Sequence, residues 1–364
     1  MLNTRTSPSL PLECLRCRGP LVEEAHQVSC PGCGRTWPVR EGIVSFVEGY
    51  PYWGEFPREE LVQLIEKAKE TGWREAVSAA FQDQDPTRYN SIASSARAGW
   101  LPLLPPSPQG MVLEIGAGLG AVAQVLAHHY GTVCCLEPVA ERLRFLQLRM
   151  EQEGLKNVKP VQAALPALPF PDATFDAIVM IGALEWVGEW MTEMGPRQAQ
   201  IAVLEKVRGK LKVGGALLIG IENRFAYTSF RGRRDHSGLP YTSLMPRWLA
   251  SLAVSLARSD YRTPGSAREG YRTYTYGLGG YRKLFKDAGF GEVSFHWPHP
   301  GYTYPAQVFP LRKGVALRQL LGDSLRQRGS WKTRFKRGGA RLAARLGILP
   351  FIVSDFLIVT RRGE

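Results

Sequence analysis

Four cysteines near the start of the chain have a spacing suited to metal chemistry. Cys14 and Cys17 form one C-x2-C pair, and Cys30 and Cys33 repeat it after twelve residues. Two intervening residues let both thiolates of a knuckle reach one ion, and two knuckles complete the tetrahedron that zinc prefers. Gly19, Gly32 and Gly34 permit the turns around them. A pair of disulfides is the alternative. Met1 to Glu13 is polar and proline-broken, without a charged and apolar signal peptide, so the expectation is a cytoplasmic, reducing setting with one structural Zn2+. A site closed by four protein ligands holds fold or partners rather than substrate. Cys134 and Cys135 sit on an apolar stretch and read as core.

A second group of residues suits a small charged molecule. Val112-Leu113-Glu114-Ile115 is an apolar strand containing an acid, and Gly116-Ala117-Gly118-Leu119-Gly120 turns into a helical stretch from Ala121 to His129. Glycines there let backbone approach a ligand where a Cβ would collide. Alone, G-x-G-x-G also fits a dinucleotide site, in which a pyrophosphate sits at the helix start. The acidic Glu114 beside the glycines suits an ammonium group better. The next strand, Thr132 to Leu136, ends at Glu137, whose carboxylate can accept both hydroxyls of a ribose.

Val158 to Gln162 gives a third strand, running into Leu168-Pro169-Phe170-Pro171-Asp172, and Phe175 to Met180 gives a fourth, followed by Ile181-Gly182-Ala183-Leu184-Glu185-Trp186. A helix from Val203 to Leu211, the turn Lys212-Val213-Gly214-Gly215 and an apolar strand from Ala216 to Ile221 come next. In this order and spacing, G-A-G-L-G, L-P-F-P-D-x-x-F-D and L-K-V-G-G resemble the class I S-adenosylmethionine-dependent methyltransferases across residues 106–222. The resemblance implies an α/β fold, a doubly wound, Rossmann-like sheet of seven mostly parallel strands. It also implies S-adenosyl-L-methionine held by Glu114, Gly116, Ala117, Gly118, Gly120, Glu137, Pro138, Ala163, Ala164, Ile181 and Gly182. In such sheets the ligand lies in the crevice beyond the strands' carboxyl ends. Gln162-Ala163-Ala164 departs from the family pattern, which often has an acid touching the adenine amine there; a backbone amide or the Gln162 side chain can still read that edge. The cysteine array, with Thr36 to Phe46 after it, resembles small zinc ribbons attached to several methyltransferases.

Three parts must position these groups: a zinc ribbon over residues 1–48, a helical, aromatic-rich cap and linker over 49–108, and the methyltransferase domain over 109–364. Tyr50, Tyr52, Trp53, Phe56 and Trp73 accompany helical periodicity from Glu59 to Ala80, suiting either a cap over the cofactor cleft or a packing helix. Leu101 to Pro108 carries four prolines and reads as a linker. No apolar run approaches the ~20 residues needed to cross a bilayer.

Charge is uneven. Residues 223–286 carry 12 Lys and Arg against three acids, and residues 311–364 carry 13 against three. An anionic acceptor follows from that field: a sugar or glycan, another small molecule, or RNA, a solvated basic face being the bland alternative. Residues 311–349 read as a basic helical insertion, with Leu317, Leu320, Leu321 and Leu325 at helical spacing, able to lie on an anionic membrane or pack onto the body. An insertion over 223–276 follows the fifth strand, where acceptor specificity is usually built. Its Ile221-Glu222-Asn223-Arg224 and Asp235-His236-Ser237-Gly238 resemble sugar- and polysaccharide-associated methyltransferases, implying O-methylation of a sugar, glycan precursor or related small molecule. His236 is the candidate base, oriented by Asp235, because imidazole titrates near neutrality. Glu185 is the second candidate, and His296 and His299 can line the acceptor side. The alternative is an rRNA or tRNA methyltransferase binding RNA through ribbon and basic surface, since a ribbon on this core is similar to bacterial rRNA guanine methyltransferases. No N-P-P-Y-type motif follows the fourth strand, which weighs against adenine or cytosine amine chemistry. A non-enzymatic scaffold fits least, given intact Glu114, glycine turn and Glu137. Oligomeric state is open.

Overall fold

The computed structural model describes residues 10–48, 52–53, 57–257, 271–312, 342–343 and 345–364. Tyr50, Phe56, residues 258–270 of the insertion and residues 313–341 of the basic stretch lie outside the described residues.

The ribbon is built from β1 (Val22–Glu23), β2 (Gln27–Ser29), β3 (Thr36–Arg40) and β4 (Ile43–Ser45). Three helices follow, α1 (Arg58–Thr71), α2 (Trp73–Phe81) and α3 (Pro86–Ala93). The α/β core then alternates β5 (Ser107–Ile115), α4 (Ala121–Leu126), β6 (Tyr130–Glu137), α5 (Ala140–Gln152), β7 (Val158–Gln162) and β8 (Phe175–Ile181). After α6 (Val187–Trp190), α7 (Pro196–Lys210) leads to β9 (Leu211–Glu222). The remaining elements used below are α8 (Arg247–Ala257), α9 (Leu278–Asp287), β10 (Val293–His299), β11 (Gln307–Pro310) and β12 (Asp355–Arg361).

The twelve strands among the described residues form one sheet in the order β1-β2-β3-β4-β7-β6-β5-β8-β9-β12-β10-β11. From β4 to β9 the pairing is parallel. β12 enters antiparallel between β9 and β10. The expected seven strands are exceeded because the ribbon and β11 extend the sheet at its two ends. β4 lies parallel to β7, Val44 opposite Val161, and so covers an edge whose backbone groups would otherwise stay unpaired.

The parallel strands read as continuous apolar runs because both faces are covered. Leu113, Ile115, Cys134, Leu136, Met180 and Ile219 join one buried cluster, while Val112, Val133, Cys135, Val179 and Leu218 join another. Cys134 and Cys135 are thus both core, one to each face. Phe46 of the ribbon belongs to the first cluster, and its N–H donates to Gln162 O at 2.8 Å. Buried Lys210 ties the same end by donating to Glu13 Oε1 at 2.6 Å and Asp172 Oδ1 at 2.8 Å.

Strand order reverses at β5: β6 and β7 lie on one side of it, β8 and β9 on the other. The turns after β5 and β8 therefore separate at the carboxyl edge and leave a crevice, the usual place for a ligand in such sheets. α1 and α2 bury Leu61, Leu64, Trp73 and Val77 with Phe145 of α5. Arg149 of α5 stacks 4.0 Å over the Trp73 ring. These helices pack on the body, and α3 reaches the crevice with Ser91 and Ile92.

Candidate active site

The crevice is a cavity floored by Glu114, Gly116, Ala117, Gly118 and Glu137. Gly118 has φ +52°, and a Cβ there would meet nothing within 4 Å. Its N–H donates to Glu137 Oε2 at 3.1 Å, while Val139 N–H donates to Glu137 Oε1 at 3.2 Å. These two bonds fix the carboxylate at the cavity floor. Gly120 has a different task. Its φ is +80°, and a Cβ would stand 2.9 Å from Leu146 Cγ. It lets α4 pack against α5 and does not line the cavity.

Glu114 is 5% exposed, and its Oε2 finds no partner among the described residues. Burial pushes its carboxyl up to about 8, with Arg97 opposing that rise and Glu137 adding to it. A buried acid with one unpartnered oxygen at the floor fits the ammonium of S-adenosylmethionine, and the fixed Glu137 fits its ribose. Pro138, Ala164, Leu165, Ile181 and Gly182 form the walls, with Trp53, Ile92 and Trp186 above. Ala163 points into the core instead. Gln162 is also turned away, its Nε2 donating to Pro138 O at 2.9 Å, while Ala164 and Leu165 line the cavity.

Beyond Trp186 lies a second constellation, made from three distant segments. Glu185 follows β8, Glu222 ends β9, and His236 lies in the insertion; each offers a ligand atom within 4.8 Å of the others. Glu185 is 1% exposed, and neither of its oxygens has a partner among the described residues. Burial, then the neighbouring Glu222, push its carboxyl up to about 8. Glu222 Oε1 accepts from the Tyr302 hydroxyl at 2.9 Å and faces His236 Nε2 at 3.4 Å. Burial works against the Glu222 charge, but His236 and Tyr302 outweigh it and hold the carboxyl below its ordinary value. Burial alone would lower the His236 pKa; Glu222 chiefly lifts it to about 9.

This cluster stands between two cavities. Trp186 lines the cofactor cavity and meets the His236 ring edge-on, with centroids 4.7 Å apart. A Cβ on Gly182, in the cofactor wall, would lie 3.1 Å from Tyr302 Oη and 3.6 Å from Glu185 Oε1. On its other side, Glu222 and His236 line a second cavity with Asn223, Arg233, Arg234 and Tyr271.

Asp235 does not orient His236. Its carboxylate accepts from Ser237 N at 2.9 Å, Ser237 Oγ at 2.6 Å, Thr242 Oγ1 at 2.8 Å and the Ser243 hydroxyl. These bonds fold the loop, and Glu222 takes the partner's place. His296 and His299 line neither cavity: both belong to β10, where His296 pairs with Leu357 of β12 and burial lowers its pKa. Glu222 and Tyr302 were not singled out as site residues from sequence. The available signal was position, since Glu137 and Glu222 are acids at the carboxyl ends of strands flanking the crevice.

At the ribbon, Cys14 Sγ lies 3.5 Å from Cys33 Sγ and Cys17 Sγ lies 3.4 Å from Cys30 Sγ, with all four within 4.8 Å of one another. These separations exceed the ~2.05 Å of a disulfide and approach the ~3.8 Å between sulfurs on a tetrahedral zinc with 2.3 Å bonds. The donor set fits a closed metal site.

Residues 112–215 match the family model described as "Methyltransferase domain". Protein-L-isoaspartate O-methyltransferase of Ruegeria pomeroyi is 30% identical over 154 residues, covering 42% of this chain and 64% of that protein. The chain thus spans less than two thirds of that relative's length. Among solved structures, phosphoethanolamine N-methyltransferase 2 of Haemonchus contortus, in complex with S-adenosyl-L-methionine, is 14% identical with a TM-score of 0.45, over 83% of this chain and 60% of that one. The YcgJ protein of Bacillus subtilis is 15% identical with a TM-score of 0.41, over 74% and 98%. Residues 112–215, which resemble a methyltransferase domain, are carried by a mostly parallel α/β sheet. No helix among the described residues is long and apolar enough to cross a membrane.

Proposed function

We propose that the chain transfers a methyl group from S-adenosylmethionine to a hydroxyl of a small anionic acceptor, such as a sugar, a glycan precursor or a related molecule. The Glu185, Glu222 and His236 cluster carries this reading, because it lies behind Trp186 and Gly182 of the cofactor cavity and lends Glu222 and His236 to the lining of the Arg233/Arg234 cavity. Glu114 holds the cofactor's ammonium, Glu137 its ribose hydroxyls, and the Ala164–Leu165 backbone its adenine edge. The bound sulfonium supplies a methyl carbon already activated for displacement. The chain's own work is then to place the acceptor oxygen in line and to take up its proton. Arg233 and Arg234 draw the anion, and the cluster on Glu222 and His236 receives the acceptor hydroxyl. One C–S bond breaks, one C–O bond forms, and the hydroxyl proton leaves through the cluster. Labelled methyl donor offered to separated glycan, small-molecule and RNA fractions tests this. Transfer into the anionic small-molecule or glycan fraction is expected. Transfer only into RNA, with binding that weakens steeply with salt, contradicts it.

The ribbon is proposed to hold one structural zinc on Cys14, Cys17, Cys30 and Cys33. Metal analysis should give about one zinc per chain, as a closed four-thiolate site requires. A metal-free, fully folded ribbon contradicts it.

A further inference from the structure

The carboxylate of Glu185 is a problem that protein groups do not solve. It is 1% exposed, and no described residue donates to either oxygen. A buried carboxyl without partners is costly, and such groups ordinarily find a cation or a donor. Glu222 Oε2 is also buried without a hydrogen-bond partner among the described residues, and His236 Nε2 has only its 3.4 Å ion pair with Glu222 Oε1. One ligand atom from each of the three side chains lies within 4.8 Å of the other two, with Glu222 Oε1 and His236 Nε2 3.4 Å apart. That separation matches the ~3.0–3.4 Å between neighbouring ligand atoms on an ion with 2.1 Å bonds.

We infer that Glu185, Glu222 and His236 form a divalent-cation site at the acceptor end of the methyl-transfer site. Two carboxylates and one imidazole suit Mn2+, Fe2+, Co2+ or Zn2+ rather than the larger, all-oxygen Ca2+ site. Three protein ligands leave positions open, in contrast to the closed ribbon. Glu222 and His236 also line the Arg233/Arg234 cavity, so an acceptor oxygen entering from there can complete the shell. A bound ion would stabilise the oxygen as its proton leaves, which would lessen the need for a strong base. Tyr302, donating to Glu222 at 2.9 Å, orients that ligand. The role given to the ion rests on the methyl-transfer reading; the binding of the ion does not.

The test uses Mn2+ with the full chain, the ribbon kept in its zinc-loaded state. Free Mn2+ is followed by electron paramagnetic resonance, and the bound ion is examined for coupling to an imidazole nitrogen, which four cysteines cannot give. One Mn2+ per chain with nitrogen coupling is expected. Glu185→Gln and Glu222→Gln should each weaken binding about tenfold or more, and His236→Gln should abolish the coupling. Circular dichroism confirms that each variant is folded. If His236→Gln fails to fold, coupling in the wild type with weakened binding in the near-isosteric glutamine variants decides the matter. Absence of Mn2+ binding, binding without nitrogen coupling, or unchanged affinity in folded Glu185→Gln overturns the inference. Calorimetry of S-adenosylmethionine on the wild type runs in parallel. If the cofactor binds and Mn2+ does not, only the cation site falls; if Mn2+ binds and the cofactor does not, the methyl-transfer reading falls.

Discussion

The cofactor cavity and the acceptor-side cluster lie on either side of Trp186, yet they are built by different means. The cofactor cavity is made largely of backbone: a glycine turn, strand ends, and two carboxylates that close neighbours in sequence hold or bury. Gly118 and Val139 fix Glu137 from within 21 residues of one another. The acceptor cluster is made of side chains from Glu185, Glu222, His236 and Tyr302, which span more than a hundred positions. A local motif can specify the first, whereas only the completed sheet and insertion assemble the second. The two halves should therefore fail separately when altered.

The largest expected effect is in the acceptor half. His236→Ala should lower turnover ~10²–10⁴-fold, the range of a positioned proton-handling group, with cofactor affinity unchanged. Steady-state kinetics with calorimetry checks this, and equal losses in turnover and cofactor binding would erase the distinction between the halves. Next comes Glu137→Ala. Losing hydrogen bonds from two hydroxyls to a carboxylate, each worth ~1.5–3 kcal/mol, should weaken S-adenosylmethionine by about a hundredfold or more while sparing much of the turnover at saturation.

A smaller effect comes through pH. The Glu114 carboxyl, lifted to about 8 by burial, is neutral below that value in the free protein. An ammonium beside it favours the ionised form, so binding releases a proton. Cofactor affinity should consequently rise from pH 6 to about 8, by up to ~10-fold per unit, and then level off. Glu114→Gln should flatten that rise in calorimetric titrations. A Glu114-dependent fall in affinity over the same range would reverse the assignment.

The smallest effect lies at the ribbon. Lys210→Met removes a buried cation shared by Glu13 and Asp172, but Asp172 is half-exposed and partly screened. Thermal unfolding should register a loss of about 1–2 kcal/mol, with turnover at saturation preserved. A collapse of activity at unchanged stability would mean that the ribbon end takes part in the reaction.

How far these features were legible follows the same division. Glu114, the glycine turn and Glu137 are readable because strand, turn and helix signals stand next to one another. The seven-strand expectation fell short because β4 pairs with β7 across more than a hundred residues, and nothing local in Ile43-Val44-Ser45 names its neighbour. Asp235 beside His236 suggested a pair, yet adjacency puts their side chains in different surroundings: one binds loop hydroxyls, the other faces Glu222. Gly120 belonged to the motif, but its glycine serves the contact with Leu146. Short motifs report backbone shape well; they do not report which distant side chains converge.

The most direct measurement is a crystal structure of the chain with S-adenosylhomocysteine. The account predicts ribose hydroxyls on Glu137, the amino group on Glu114, and the sulfur directed past Trp186 and Gly182 toward Glu185, Glu222 and His236. A ligand seated with its sulfur turned away from that cluster, or lodged outside the β5–β8 crevice, would contradict it.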